Sequence, residues 1–143
     1  MNDHPLFRSK ADFRAALMAG DGAWSDHAQS TPEALHGCEL AEADLTGRNL
    51  AELDFSHADF FRATLVDANF KKSKFRNADL SEARMERVAL YKADFRDAII
   101  LEANLSGADL SATDCRGADF RGANLQGVNF TDADLRGCNF SYC

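Results

Sequence analysis

An apolar side chain falls at every fifth residue from Leu40 to Phe140, 21 times in succession without an insertion. Ten are Leu and eight are Phe; the others are Met85, Ile100 and Cys115. Two residues before each lies a smaller column, Ala in thirteen units, including Ala43, Ala58, Ala63, Ala68, Ala118, Ala123 and Ala133. The residue directly before the large one is Asp or Asn fifteen times, as at Asp44, Asn69, Asp109 and Asn124. An unbroken internal period outranks local propensity as a guide to fold. Strands alternate every two residues and helices every 3.6, so a period of five continues neither. A helix with this spacing would spread its apolar residues around the circumference and bury nothing. A short straight segment followed by a turn, repeated, sends one large and one small side chain inward per unit. Asp or Asn suits such a corner because its side chain hydrogen-bonds nearby backbone. Gly at the last position, as at Gly107, Gly117, Gly122, Gly127 and Gly137, eases the turning.

Segments such as Ala118-Asp119-Phe120-Arg121-Gly122 and Ala123-Asn124-Leu125-Gln126-Gly127 resemble the pentapeptide repeat family, whose pattern is Ala-(Asp/Asn)-Leu/Phe and two variable residues. The resemblance spans about residues 38–143. It implies an all-β fold, a right-handed quadrilateral β-helix with four units per coil, which spacing alone does not dictate. About five coils at the β spacing of ~4.8 Å make a rod roughly 25 Å long. We expect two regions, a capping segment at 1–34 and the β-helix at 35–143. Arg48 and Ser73 stand in the small inward column and Leu53 over-fills it, so the first coil is expected to be irregular. Met85 and Val88 suggest a change of packing at mid-rod.

A stacked rod exposes core and strand edge at both ends, and solenoids need capping units. Residues 9–19 read as a short N-terminal α-helical cap, with Ser9 as N-cap and Phe13, Ala16 and Leu17 at helical spacing. Ala11-Asp12-Phe13-Arg14-Ala15 imitates one repeat but is out of register with Leu35. Gly20-Asp21-Gly22 would end the helix, Trp24 would help to cover the first coil, and Thr31-Pro32 would mark entry to the rod. Phe140-Ser141-Tyr142-Cys143 is still in register, without the dimerising helix in which related proteins often end. A homodimer joined at that coil, through Phe140, Tyr142 and Cys143, is the expectation.

Candidate chemistry is sparse. Cys38, Cys115, Cys138 and Cys143 all continue inward columns, where free Cys behaves as a small hydrophobe, and their spacing matches no zinc pattern. They read as structural thiols of a reducing, cytoplasmic compartment. His36, Cys38 and His57 could approach on adjacent coils. Ser56, His57 and Asp59 are triad residue types that alternate in direction along one segment. Gly117 and Gly122 imitate half a phosphate loop without its Lys-Ser/Thr. No enzyme activity and no cofactor is expected.

Sixteen Lys plus Arg against 23 Asp plus Glu leave a net charge of -7. That balance argues against direct nucleic-acid binding, which needs basic surface. No apolar run approaches the ~18 residues of a membrane span, and the start of the chain lacks the pattern of a signal peptide. With 20 residues per coil, Arg76, Arg96, Arg116 and Arg136 stack beside Asp94, Asp114 and Asp134, as a self-compensating face or a partner-binding stripe. Another face carries Glu39, Glu42, Asp59, Asp79, Glu82, Glu102 and Asp119, interrupted by Arg62 and Arg121. It also exposes Phe61, Ile99 and Leu101, an apolar set suited to a protein contact. Lys71, Lys72, Lys74, Arg76, Arg84, Arg87 and Lys92 form a basic girdle. The expected function is a non-enzymatic scaffold for an unknown protein partner. The alternative comes from the family's quinolone-resistance branch. Such bacterial proteins are thought to mimic DNA and bind gyrase or topoisomerase IV, a pattern that the basic girdle interrupts.

Overall fold

The computed structural model describes residues 10–19 and 35–143. From residue 39 onward, seventeen parallel β-bridges join residue i to residue i+20, from Glu39↔Asp59 to Asp119↔Asn139. Four bridges occur per coil, so the rod has four sides. We number the faces by their outward columns. The first carries residues 39, 59, 79, 99, 119 and 139; the second, 44 to 124; the third, 49 to 129; the fourth, 54 to 134. Each side contributes one bridging residue, so the β structure is a set of isolated bridges rather than of extended strands.

The five-residue unit follows from hydrogen-bond accounting, because buried backbone groups must be paired. Let n be the large inward residue. The N–H groups of n and n+2 donate to the next coil, as in Leu40 to Asp59 and Glu42 to Phe61. The N–H of n−1 donates to the previous coil, as in Asp59 to Cys38. The N–H of n+3 closes a turn on the carbonyl of n, as in Ala43 to Leu40. That leaves the N–H of n+1, and the side chain at n−1 takes it. All fifteen Asp and Asn at that position accept this bond, from Asp44 with Thr46 to Asn139 with Ser141. The preference for Asp and Asn is therefore the demand of one orphan donor per corner.

Residue n+2 has positive φ at every corner. Fifteen non-glycine residues lie between 55° and 63°, and seven glycines between 67° and 73°. With n+2 left-handed, the turn is of the type II kind. Left-handed geometry costs a non-glycine residue roughly 1–2 kcal/mol, so the corners hold because the coil-to-coil bonds over-determine them.

The core consists of the two inward columns. Phe55, Phe60, Phe70, Phe75, Phe95 and Phe120 are fully buried. Phe55 stacks on Phe75 at 5.6 Å and Phe75 on Phe95 at 4.9 Å, because residues 20 apart eclipse one another. Phe120 stacks on Phe140 at 5.2 Å. Cys115 interrupts the aromatic column between Phe95 and Leu135, and Met85 and Val88 are buried without breaking the bridge register. The mid-rod change is thus chemical, with an aliphatic section between two aromatic clusters. Burying one such ring contributes about 1.5–3 kcal/mol.

The irregularity expected in the first coil is confined to two side chains. Bridging continues through Asn49 and Asp54. The turn from Leu50 to Leu53 lacks its own closing bond. Ser73, from the next coil, inserts its hydroxyl instead, donating to the Leu50 carbonyl at 2.8 Å and accepting from the Leu53 N–H at 3.3 Å. Arg48 escapes an unpaired inward position. Its guanidinium donates to the carbonyls of Leu17 and Met18 at 3.1 and 3.2 Å, in the last turn of helix α1 (Lys10–Ala19). Leu17 joins the main core cluster, and Arg14 Nε donates to the Glu39 carbonyl at 2.8 Å. Residues 11–15 are therefore helical, not a repeat. Ser9, Gly20-Asp21-Gly22, Trp24 and Thr31-Pro32 lie outside the described residues.

Candidate interaction surface

Six of the 21 units lack Asp or Asn at n−1, namely those with Glu39, Thr64, Lys74, Arg84, Ala89 and Ile99. Each gives up a corner bond of about 0.5–1.5 kcal/mol. The released corner residue is apolar at four of them, Ala41, Val66, Tyr91 and Leu101, and only the last two also follow an apolar residue at n−1, Ala89 and Ile99. Those two corners coincide with exposed apolar surface. Ile99 is 40% exposed and Tyr91 36%. Leu101 is half-buried. Phe61 is also half-buried, with the Arg62 guanidinium 4.9 Å above its ring, so it is less available than its sequence position implied.

Around Ile99 the first face is acidic. Asp79 lies one coil below and Asp119 one coil above. Arg62 is taken by Glu82 at 2.7 Å and Arg121 by Asp119 at 2.7 Å. Glu39, Glu42, Asp59, Asp79 and Glu102 form no ion pair among the described residues, so the negative charge outlasts internal pairing. Arg121, hydrogen-bonded to Asp119, holds that carboxyl below the usual carboxylate range. Leu101, Glu102, Arg121, Gly122 and Tyr142 line an open depression of about 340 Å³ on the adjoining corner.

The arginine column is an ionic ladder. Arg96 binds Asp94 through two nitrogens at 2.9 and 2.6 Å, Arg116 binds Asp114 at 2.9 and 2.7 Å, and Arg136 binds Asp134 at 2.9 and 2.6 Å. Longer contacts tie the rungs together: Arg76 to Asp94 at 3.5 Å, Arg96 to Asp114 at 3.5 Å and Arg116 to Asp134 at 3.8 Å. Arg136 draws the Asp134 carboxyl down to about 2, and Arg116 lowers that of Asp114. The ladder neutralises Arg76, Arg96 and Arg116 within the chain, which is the self-compensating arrangement.

The remaining candidates separate by geometry. His36 and His57 meet edge to face at 4.8 Å. No group of three His, Cys, Asp or Glu among the described residues is placed to hold a metal. Ser56, His57 and Asp59 are not joined by hydrogen bonds; Asp59 accepts from the Phe61 N–H. Gly117 and Gly122 are corner residues, not a phosphate cradle. Burial pushes the Cys115 thiol up to about 12, and Cys115, Cys138 and Cys143 are free thiols. At the last coil, Leu125, Phe130, Leu135 and Phe140 are only partly buried, Tyr142 is 91% exposed and Cys143 is exposed. No helix among the described residues is long and apolar enough to cross a membrane. Sequence reasoning missed Tyr91. Its place at n+1, after an Ala where Asp or Asn is usual, was the available signal.

The family model for pentapeptide repeats matches residues 38–77, 63–100 and 103–141, as eight copies. No curated protein matches the chain. A pentapeptide repeat protein of the Arabidopsis thaliana thylakoid lumen superposes with a TM-score of 0.63 at 23% identity, covering 65% of each chain. HetL of the cyanobacterium Nostoc, involved in heterocyst differentiation regulation, aligns at 24% identity over 73% of this chain and 64% of that one, with a TM-score of 0.31. Trypsin-treated QnrB1, a plasmid-mediated fluoroquinolone resistance protein, aligns at 26% identity over 75% of this chain and 62% of that one, with a TM-score of 0.32. Of these three, the thylakoid-lumen protein superposes well enough to bear on fold, that of a right-handed quadrilateral β-helix. With matched repeats across most of its length and bridges at every twentieth residue, the chain belongs to the pentapeptide repeat family.

Proposed function

We propose that this protein is a rigid, non-enzymatic scaffold that binds a protein partner on its acidic first face, with Ile99 and Leu101 as the apolar anchor. The observation that carries this reading is Ile99 itself. It stands exposed where fifteen units place Asp or Asn, and it forfeits the corner bond to Leu101. An apolar spot beside the carboxylates of Asp79 and Glu102, which form no ion pair among the described residues, suits a partner that brings both an apolar side chain and positive charge. Ile99→Asn supplies the missing acceptor and removes the anchor together, so lost binding would not reflect lost folding. A partner retained by the wild-type protein from an extract of its source organism, and lost by Ile99→Asn, supports the reading. Equal retention by both refutes it. The free thiols of Cys115, Cys138 and Cys143 fit a reducing, cytoplasmic setting for this role.

Two further assignments accompany it. Residues 1–34 serve as the N-terminal capping segment of the 35–143 rod, supported by Leu17 in the core cluster and the Arg48 bonds to α1. The partly exposed Phe130 and Phe140, with Tyr142 and Cys143, support a homodimer joined at the last coil. A monomer mass by light scattering down to low micromolar protein would refute that dimer. A second reading, binding to a bacterial type II topoisomerase, is favoured by the unpaired carboxylates of the first face. Titration into a gyrase supercoiling assay, with and without a quinolone, tests it, and no effect at micromolar protein would end it.

A further inference from the structure

The cations of this protein fall into two classes. Every arginine with a described side chain is engaged. Arg62, Arg76, Arg84, Arg87, Arg96, Arg116, Arg121 and Arg136 meet carboxylates, and Arg14 and Arg48 meet backbone carbonyls. The described lysines behave otherwise. Lys71 and Lys74 form no ion pair among the described residues. Lys92 lies over the Tyr91 ring at 5.2 Å, and Lys72 reaches Glu52 only at 3.8 Å. All four lie together. Lys71, Lys72 and Lys92 share the corner between the third and fourth faces, and Lys74 stands beside them on the fourth. Lys72 and Lys92 occupy one column on successive coils, ~4.8 Å apart at the backbone. Like charges placed opposite one another are destabilising. The arginine column sets an Asp beside every Arg; Lys74 stands between Asp54 and Asp94 and Lys72 above Glu52, but no carboxylate lies between Lys72 and Lys92 in their column.

We propose that Lys71, Lys72, Lys74 and Lys92, with Tyr91, form a docking site for a short acidic segment of a protein partner. The missing counter-charge comes from that partner, and Tyr91, 36% exposed, supplies an amphipathic contact of the kind enriched at interfaces. The footprint favours a protein segment over an extended polyanion. Below the lysines lie Glu52 and Asp54. Above them lie Asp109, Asp114, Asp132 and Asp134. A nucleic acid or an anionic membrane running along the rod would meet these carboxylates, whereas a segment spanning two coils would meet only Asp94, which bridges to Lys74 and is already held by Arg96 and Arg76. The site is a separate surface from the Ile99 face, so a partner on one leaves the other open.

The test is fluorescence anisotropy with a labelled peptide of about twelve Asp and Glu residues around one Phe, at about 50 mM salt. The wild-type protein binds it, with affinity falling as salt rises. Lys71→Gln/Lys92→Gln weakens binding about ten-fold while the melting temperature stays level or rises, because relief of like-charge repulsion offsets the lost contact of Lys92 with the Tyr91 ring. Gln126→Glu/Ser141→Glu changes the net charge equally at exposed sites elsewhere and keeps near wild-type affinity. Four results would overturn the site: no peptide binding by the wild-type protein, equal weakening by both double variants, a fall in melting temperature for the lysine variant, or tighter binding to a short DNA duplex or phosphatidylserine vesicles than to the peptide.

Discussion

Ser73→Ala is the most exacting test of the fold's internal logic, because it moves the chain toward its own consensus and should nonetheless destabilise it. Ala occupies thirteen of the 21 small inward positions. At position 73, however, the hydroxyl bridges the Leu50 carbonyl and the Leu53 N–H, and that turn has no closing bond of its own. Leu53 is 4% exposed, so water does not readily replace the hydroxyl. The Leu53 side chain, too large for its column, holds the turn open. Removing the hydroxyl leaves two buried backbone groups unpaired, at about 1–3 kcal/mol each before relaxation. Partial closure of the turn recovers some of this, and a net loss of about 2 kcal/mol is expected. At about 4 °C per kcal/mol for a chain of this size, the midpoint of thermal unfolding by circular dichroism should fall by about 8 °C. Leu53→Ala/Ser73→Ala lets the turn close, so the double variant should lose less than the sum of the single variants, with a coupling of about 1 kcal/mol or more. If Ser73→Ala melts at or above the wild-type temperature, the turn closes without help and the account of Leu53 as a wedge is wrong.

Other perturbations are as direct. Ile99→Asn should raise stability by about 0.5–1.5 kcal/mol in urea unfolding, since it restores the acceptor for the Leu101 N–H; a loss would mean that Ile99 packs rather than displays. Arg48→Ala should cost about 1–3 kcal/mol and make the N-terminal segment sensitive to limited proteolysis, because α1 loses two charge-assisted bonds. The lowered carboxyls of Asp44, Asp67, Asp114, Asp119 and Asp134 bind fewer protons in the folded chain than in the unfolded one. Their stabilisation is fully present above the unfolded value near 4 and is lost as pH falls toward about 2, the folded value of Asp134. Melting curves between those limits should shift downward with acid, and less so in Arg136→Gln. Thiol titration of the native protein at pH 8 should find Cys143 reactive and Cys115 silent until denaturant is added, because burial raises the Cys115 thiol to about 12.

Much of the molecule was legible from one period. A unit with a single large inward residue and no insertion can only stack in register, so the core followed from position alone, down to Cys115 and Met85. The acceptor role of Asp and Asn was legible as chemistry, although the structure was needed to show that the bond goes to n+1 and that all fifteen make it. The 20-residue map correctly set the arginine column beside that of Asp94, Asp114 and Asp134, and the structure showed that each of Arg96 and Arg116 binds the Asp two residues before it. It overstated Phe61, since a map of Cα positions does not show that the neighbouring Arg62 folds over the ring.

The sequence by itself determined the periodic part of this protein: which side chains turn inward, where the corners fall, and which charges share a column. Tertiary structure alone decided the contacts that leave the period. Arg48 finds α1, Ser73 completes another coil's turn, and Lys71 and Lys74 form no ion pair among the described residues while the arginines are engaged. The physical reason is one of range. Backbone pairing repeats with the chain and is written in its spacing. Long polar side chains and the helix that meets the rod choose among several partners within reach, and only the assembled geometry ranks them.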